Sequence, residues 1–404
     1  MKKILFVHHS GSLGGGTLSL LYTIQGLTKI GFTCIVALAV PSQKLIDFYS
    51  DAGIEVISWP GITLWHHSTV SPRPWHNPRT FLYLVKVLIN WRESQKRTLE
   101  LVKFVQPDIV HLNSMPLSPS ADILSKQNIP FVWHVREPPP DQGIRTQLIR
   151  QIMMRSNKMI FISEADRQAW VQNKKGEVIH NFVDFSRFDI TSKTSNFRHK
   201  LDIPKNSLIV LYVGGLSLVK GIIPLLYALA KLKKRFPDVK CLMPGAEYQP
   251  SGSWKSELAR NILPKLGSGT LAQKIDNLIQ ELELEDICIR LPFQEDIAPY
   301  FAACDVLVFP STHPHFARPV IEANAMTKPV IASNVVGMSE LVEHTKTGYL
   351  VSPNCPDELS YAMENFFNNP ELMEKMGQFG MIKARKNFNL EHQVRCIADV
   401  YKTI

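Results

Sequence analysis

Three short segments carry side chains suited to a negatively charged ligand. In Arg318-Pro319-Val320-Ile321-Glu322 a proline sits where a helix begins, a position at which its missing N–H costs the helix no bond. The free N–H groups and partial positive charge of such a helix start suit phosphate, and Arg318 adds a cation. Glu322, in the first turns, either offsets the helix dipole or reaches over the loop to a ligand's hydroxyl groups. Lys220 closes a glycine-rich turn, Gly214-Gly215 to Lys220-Gly221, that follows an apolar strand. In the first half, the strand from Ile129 to Val135 holds His134 and runs into Arg136-Glu137. Arg136 suits a phosphate or an acidic acceptor and Glu137 an acid/base role; a structural ion pair with Arg145 or Arg150 is the other reading.

A second glycine loop, with Gly11, Gly14, Gly15 and Gly16, lies between the strand Lys3 to His8 and a helix bearing Leu18, Leu21, Ile24 and Leu27 on one side. Its spacing does not fit G-x-G-x-x-G, and the next strand, Cys34 to Val40, offers no acidic residue to a ribose, which argues against a dinucleotide. Either the loop brings backbone close to a ligand or it is a tight turn with none.

The elements that must position these residues read as α/β throughout. A chain of 404 residues, 45% apolar and 20% charged, has material for two cores. Its six cysteines lack any C-x-x-C spacing and predict buried thiols in a reducing compartment, without disulfides or zinc. The apolar run at the N-terminus is broken by His8-His9, too soon for a signal peptide, and no run is long enough to span a bilayer. These features predict a cytoplasmic protein. Of the formal charge of +9, the residues up to Phe185 carry +7 and the remainder +2. That asymmetry favours an anionic membrane surface or an acidic substrate over nucleic acid, for which no motif is present. A helical pattern from Pro78 to Gln106, with Arg79, Phe81, Tyr83, Lys86, Trp91, Arg92, Lys96, Arg97 and Lys103, fits either an anionic lipid surface or an ordinary solvated face.

The run from Val306 to Leu350 resembles the donor-binding signature of the family 4 retaining glycosyltransferases. Pro310-Ser311, Phe316, Glu322-Ala323, Pro329 to Ala332, Gly337, Glu340 to Val342 and Gly348 to Val351 match it in order. The family's first glutamate falls at Pro314, and the glycine after Phe316 is Ala317. Leu208 to Gly221 resembles the family's Gly-Arg-Leu-x-x-x-Lys-Gly segment, with Lys220 retained and Gly215 at the arginine position. Arg318 is then the nearest cation in sequence to take that arginine's place. Where the family has Thr-x-His-Asp at the end of a first-domain strand, this chain has His134-Val135-Arg136-Glu137.

The resemblance implies a GT-B fold, with two Rossmann-like domains facing across a cleft and a C-terminal helix returning to the first domain. The implied bounds are 1–185 for the acceptor-side domain, 186–207 for a polar linker, 208–387 for the nucleotide-sugar domain and 388–404 for the returning helix. The implied reaction moves a sugar from a nucleotide diphosphate to an acceptor hydroxyl with retention and without a metal; the basic first half adds the expectation of a glycan or lipid-linked acceptor at the cytoplasmic membrane face. His134, Arg136, Lys220 and Arg318 would serve catalysis. Gly14, Gly15, Gly16, Gly214, Gly215, Lys220, Gly245, Phe293, His315, Phe316, Ala317, Arg318, Pro319 and Glu322 would bind the donor. With proline at the sugar-contacting glutamate, either His313 or His315 contacts a different sugar or activity is weakened. The rivals are a catalytically silent GT-B protein that binds a glycan or partners an active transferase, and a GT-B phosphorylase or epimerase.

Overall fold

A computed structural model of the chain describes residues 2–62, 82, 85, 89–139, 143–171, 176–189, 197–246 and 271–404. Of the expected basic and aromatic helix, Trp91–Val105 is described, whereas Arg79, Phe81, Tyr83 and Lys86 lie outside the described residues, as do the side chain of Arg145 and the stretch 248–270. The chain divides into two compact units, one formed by Met1–Phe182 with Phe388–Ile404 and the other by Val183–Asn387.

Each unit is built on one parallel sheet. In the first, β1 (Lys3–His8), β2 (Thr33–Leu38), β3 (Glu55–Ser58), β4 (Ile109–Asn113), β5 (Phe131–Val135), β6 (Lys158–Phe161) and β7 (Glu177–Val178) lie in the order β3-β2-β1-β4-β5-β6-β7. Side chains alternate between two faces: Leu5, Val7, Leu112 and Trp133 enter one apolar core, and Ile4, Phe6 and Val132 enter another. Helices cover both faces.

The C-terminal helix Leu390–Lys402 belongs to the second of those cores. It approaches the Gly15–Lys29 helix so closely that a Cβ at Gly26 would fall 2.6 Å from Val394 Cγ2. Its last turn is also tied by polar contacts: Lys2 Nζ donates to the Tyr401 carbonyl at 2.8 Å, and the Tyr401 hydroxyl lies 2.6 Å from His111 Nδ1.

In the second unit, β8 (Ile209–Leu211), β9 (Lys240–Pro244), β10 (Cys288–Leu291), β11 (Val306–Phe309), β12 (Val330–Ser333) and β13 (Gly348–Val351) lie in the order β10-β9-β8-β11-β12-β13. The polar stretch 186–207, expected as a linker, is part of this unit. Phe188 packs against Phe301 with ring centroids 6.0 Å apart, and Arg198 donates to the Ala303 and Ser207 carbonyls and pairs with Asp305 at 3.0 Å. Low apolar periodicity gave no sign of these guanidinium and ring contacts, which involve the described residues of the stretch.

Both strand orders reverse next to the first strand of the sheet, between β1 and β4 and between β8 and β11. Parallel strands joined by right-handed crossovers leave a crevice at such a switch, beyond the carboxyl ends of the strands. The loops after β1, β4, β8 and β11 are therefore where each unit can hold a ligand. Replacing Tyr401 by Phe, which strands a buried imidazole nitrogen, is expected to lower stability by about 1–3 kcal/mol in chemical denaturation.

Candidate functional site

At the β8/β11 switch two loops are locked together by their backbones. Gly221 has φ +80, and a Cβ there would lie 1.8 Å from the Pro310 carbonyl oxygen, so only glycine admits this approach. Thr312 N–H and its hydroxyl donate to the Val219 carbonyl at 2.8 and 3.2 Å, and the Ser311 hydroxyl donates to the same oxygen at 3.1 Å. The loop after β12 fastens the far side: His315 N–H donates to the Val336 carbonyl at 3.0 Å, and Gly337, at φ +90, leaves room for the His315 carbonyl.

These ties bring Lys220 and His315 into one electrostatic neighbourhood. Lys220 is half-buried, with no acidic partner among the described residues, and burial lowers its pKa. The His315 ring stacks on Phe309, centroids 5.5 Å apart and 18° from parallel. Burial, helped by the Lys220 charge, lowers its pKa to about 4, so it is neutral at pH 7. A partly dehydrated ammonium beside a neutral imidazole is poised to accept an anion, because an incoming negative charge removes the cost of holding the cation there.

The helix Arg318–Ala325 starts on the same loop. No side chain caps its N-terminus, and Pro319 is its second residue. Arg318 Nε lies 2.8 Å from Glu322 Oε1, with both side chains almost buried. Burial raises the Glu322 pKa, while Arg318 and then Arg187 pull it back. Phe316 and Ala317 bury their side chains, so only their backbone can meet a ligand. Across the sheet, Gly215 (φ +62) and Gly245 (φ +78) pack against each other, a Cβ at Gly215 falling 3.2 Å from the Gly245 carbonyl oxygen. Gly214 is crowded by the Tyr212 ring. Phe293, just beyond β10, is 49% exposed.

The other expected site residues belong to the first unit. Arg136 follows β5 and donates to Asn113 Oδ1 at 2.7 Å, Asn181 Oδ1 at 3.0 Å and Ser19 Oγ at 3.2 Å. Since Asn113 accepts through its oxygen, its amide faces His8 Nδ1 at 3.0 Å, which leaves His8 Nε2–H to donate to Thr17 Oγ1 at 3.2 Å. His134 must be corrected: it is 4% exposed, with Nδ1 3.2 Å from His111 Nε2, and burial holds its pKa far below the usual range. It is an internal neutral link, because the residue points into the polar layer under the Gly15–Lys29 helix rather than out of the strand end. Glu137 accepts from the Ser114 hydroxyl and, at 3.3 Å, from Met115 N–H. It thereby holds Ser114 at φ 99 and ψ 163, a conformation normally reserved for glycine. Gly14 is extended, and a Cβ at Gly14, Gly15 or Gly16 would meet nothing within 4 Å, so packing of this unit does not demand glycine there.

Sequence reasoning missed Thr312, the strained Ser114, Asn113 and Arg187. Only Asn113 carried a signal, as the polar end of an otherwise apolar strand.

His8 and His111 are lowered by burial to about 3, and His315 to about 4. Their unfolded forms take up protons below about pH 6.5 while the folded forms do not, so their stabilisation is complete above that pH and is lost toward pH 4 and below. Between pH 7 and 5 each is expected to cost about 2 kcal/mol in denaturant titrations, and His111→Asn should remove one such share.

Residues 13–187 match the family model described as Glycosyltransferase Family 4, and residues 193–382 the one described as Glycosyl transferases group 1. Among curated relatives, the D-inositol 3-phosphate glycosyltransferase of Streptomyces avermitilis is 27% identical over 65% of this chain and 55% of its own length. That of Streptomyces griseus is 30% identical over 50% and 41%. The chain spans about half the length of the curated relatives it matches. Among solved structures, a glycosyltransferase from Rickettsia africae aligns with TM-score 0.75 at 24% identity, covering 100% of this chain and 98% of that one. Anabaena HepE in complex with UDP aligns with TM-score 0.78 at 22% identity, covering 100% of both. These likenesses establish the GT-B fold.

Proposed function

Because this chain belongs to glycosyltransferase family 4, we propose that it moves a sugar from a nucleotide diphosphate to an acceptor hydroxyl with retention of configuration, in the assembly of a polysaccharide or glycolipid. The observation that carries this reading is Lys220, a half-buried cation without an acidic partner among the described residues, fixed at the switch point of the second sheet.

As the anomeric C–O bond breaks, the departing nucleotide diphosphate gathers negative charge. A cation and N–H dipoles already aimed at that position stabilise the transition state more than the bound donor. Lys220 supplies the cation, and the uncapped start of the Arg318–Ala325 helix supplies the dipoles. Neutral His315, held against Phe309 beside that charge, can accept a hydrogen bond from a sugar hydroxyl or donate one to phosphate. We assign Glu322 to ribose hydroxyls and Arg318 to the place of a cation at Gly215; the two are paired at 2.8 Å. Phe293 offers its exposed face to the base. In the first unit, the Gly14–Gly16 loop has space beside each Cα for a ligand, and Arg136 suits an acidic group on the acceptor. A UDP-linked donor is the first to try, since HepE was solved with UDP-glucose.

Calorimetric titration with UDP, GDP, ADP and their sugar conjugates tests the donor site. One nucleotide is expected to saturate the protein, and Lys220→Ala and Glu322→Ala should each weaken it by about ten- to a hundredfold, the loss of one charge-assisted contact. Arg318→Ala should lower turnover; unchanged catalysis would remove it from the machinery. Absence of binding by every nucleotide would favour the silent, glycan-binding reading. A phosphorylase would instead release a sugar phosphate from glycan and inorganic phosphate, and an epimerase would need no acceptor.

The membrane assignment rests on exposed Ile89 and Phe104 near exposed Arg92, Lys96 and Lys103. Binding to vesicles containing anionic lipid is expected, and raising the salt should weaken it. Equal binding to neutral vesicles would contradict that assignment.

A further inference from the structure

We propose that Arg187 is a positioning residue for the donor site, fixing both the loop that carries Phe293 and the helix that carries Glu322. The inference rests on the nucleotide-sugar reading of that site and adds a residue outside every motif of the sequence.

Arg187 lies four residues past the point at which the chain enters the second unit. Its place is set locally. Asp184 Oδ1 accepts from the Ser186 N–H at 2.9 Å and from the Ser186 hydroxyl at 2.7 Å, and Arg187 N–H donates to the Asp184 carbonyl at 3.2 Å, which makes a tight turn. Phe188 then anchors the turn in the core against Phe301. From this fixed base the guanidinium donates to the Glu295 carbonyl at 2.6 Å and pairs with Asp296 at 3.4 Å.

Those two acceptors lie on the loop that runs from β10 through Phe293 to the helix Ala298–Ala303. Asp296 Oδ1 also accepts the Ala298 N–H at 3.3 Å, so the carboxylate that holds Arg187 also holds the first backbone N–H of that helix. The helix packs against the Arg318–Ala325 helix. One side chain is thus tied to the loop bearing the exposed aromatic face and, through Asp296 and the Ala298–Ala303 helix, to the helix bearing Glu322. Its charge also acts on the buried Glu322 carboxylate, in the same sense as Arg318. Of the other charged groups on helices packed against Arg318–Ala325, Lys383 is paired with Glu343 at 3.3 Å.

A residue that only stabilised the fold would change melting temperature and leave donor affinity intact once the protein was folded. A positioning residue predicts otherwise. Arg187→Ala should raise donor KM, or the nucleotide Kd, by tenfold or more with kcat changed less than threefold, and Arg187→Lys should recover part of the loss. Because both side chains act on one site, the losses from Arg187→Ala and Glu322→Ala should combine to clearly less than the product of the single effects. An unchanged KM, or multiplicative losses, would overturn the proposal. If Arg187→Ala does not fold, Asp296→Asn weakens the same anchor with Arg187 in place and should raise KM by a smaller factor; no change would again overturn it.

A second measurement needs no nucleotide. The ¹³C carboxyl resonance of Glu322, assigned by its loss in Glu322→Gln, should titrate at higher pH in Arg187→Ala than in the unsubstituted protein, because a nearby cation has gone. An unmoved midpoint overturns the proposal even in a protein that binds no nucleotide. A moved midpoint with no nucleotide bound overturns the donor-site reading instead.

Discussion

Backbone contact between two loops governs what the second unit can do. The Gly221 Cα and the Pro310 carbonyl oxygen are so close that no side chain fits between them, and the Val219 carbonyl is shared by Ser311 and Thr312. These bonds join the loop after β8 to the loop after β11 across the point where the strand order reverses. A lysine on one loop and a histidine on the other are thereby held near each other without any bond between their side chains. The arrangement costs hydration of the lysine, and the rigidity of the joined loops is what keeps that charge from turning outward into water.

The first unit solves a different problem with the same topology. Its carboxyl edge is polar well into the sheet: His8, His111, Asn113 and His134 lie on the face covered by the Gly15–Lys29 and Leu390–Lys402 helices, where an apolar layer would be expected. Buried polar groups are tolerable only when bonded to one another. The chain from Tyr401 to His111 to His134, and the separate one from Arg136 through Asn113 and His8 to Thr17, meet most of that demand. Neutral histidines suit the role because each imidazole offers one donor and one acceptor. The consequence is an arginine whose position is fixed by amide and hydroxyl oxygens, with Glu137 turned away to support the strained Ser114.

Where the chain passes between units, it is braced within each. His180 and Phe388 face each other in the first unit, with ring centroids 5.5 Å apart, and Arg385 lies 4.9 Å from the Phe185 ring centroid in the second. The two crossings, at Phe182/Val183 and Asn387/Phe388, are therefore flanked on both sides by ring contacts. Arg187, with its bonds to Glu295 and Asp296, adds a polar tie next to the first of these crossings.

The sequence by itself determined the α/β class, the two parallel sheets, the helix opening at Arg318-Pro319 and the glycine turn ending at Lys220. Each of these is local: apolar runs, proline at a helix start and glycine between strand and helix all act over a few residues. It also marked Gly215, Pro314 and Ala317 as departures from the resembling signature. Only the tertiary structure decided what depends on contacts distant in the chain. His134 on β5 and Arg136 just past its end differ in fate because a histidine from β4, itself bonded to a tyrosine of the last helix, meets the first, while the second reaches past the strand end. Arg318 and Glu322 turn to each other, since a buried carboxylate without a cation is too costly to keep ionised. Thr312 and Arg187 gained their roles from carbonyl groups more than ninety positions away, at Val219 and Glu295. Spacing along a chain cannot reveal such partners, because folding and not sequence distance sets which backbone oxygen a side chain meets.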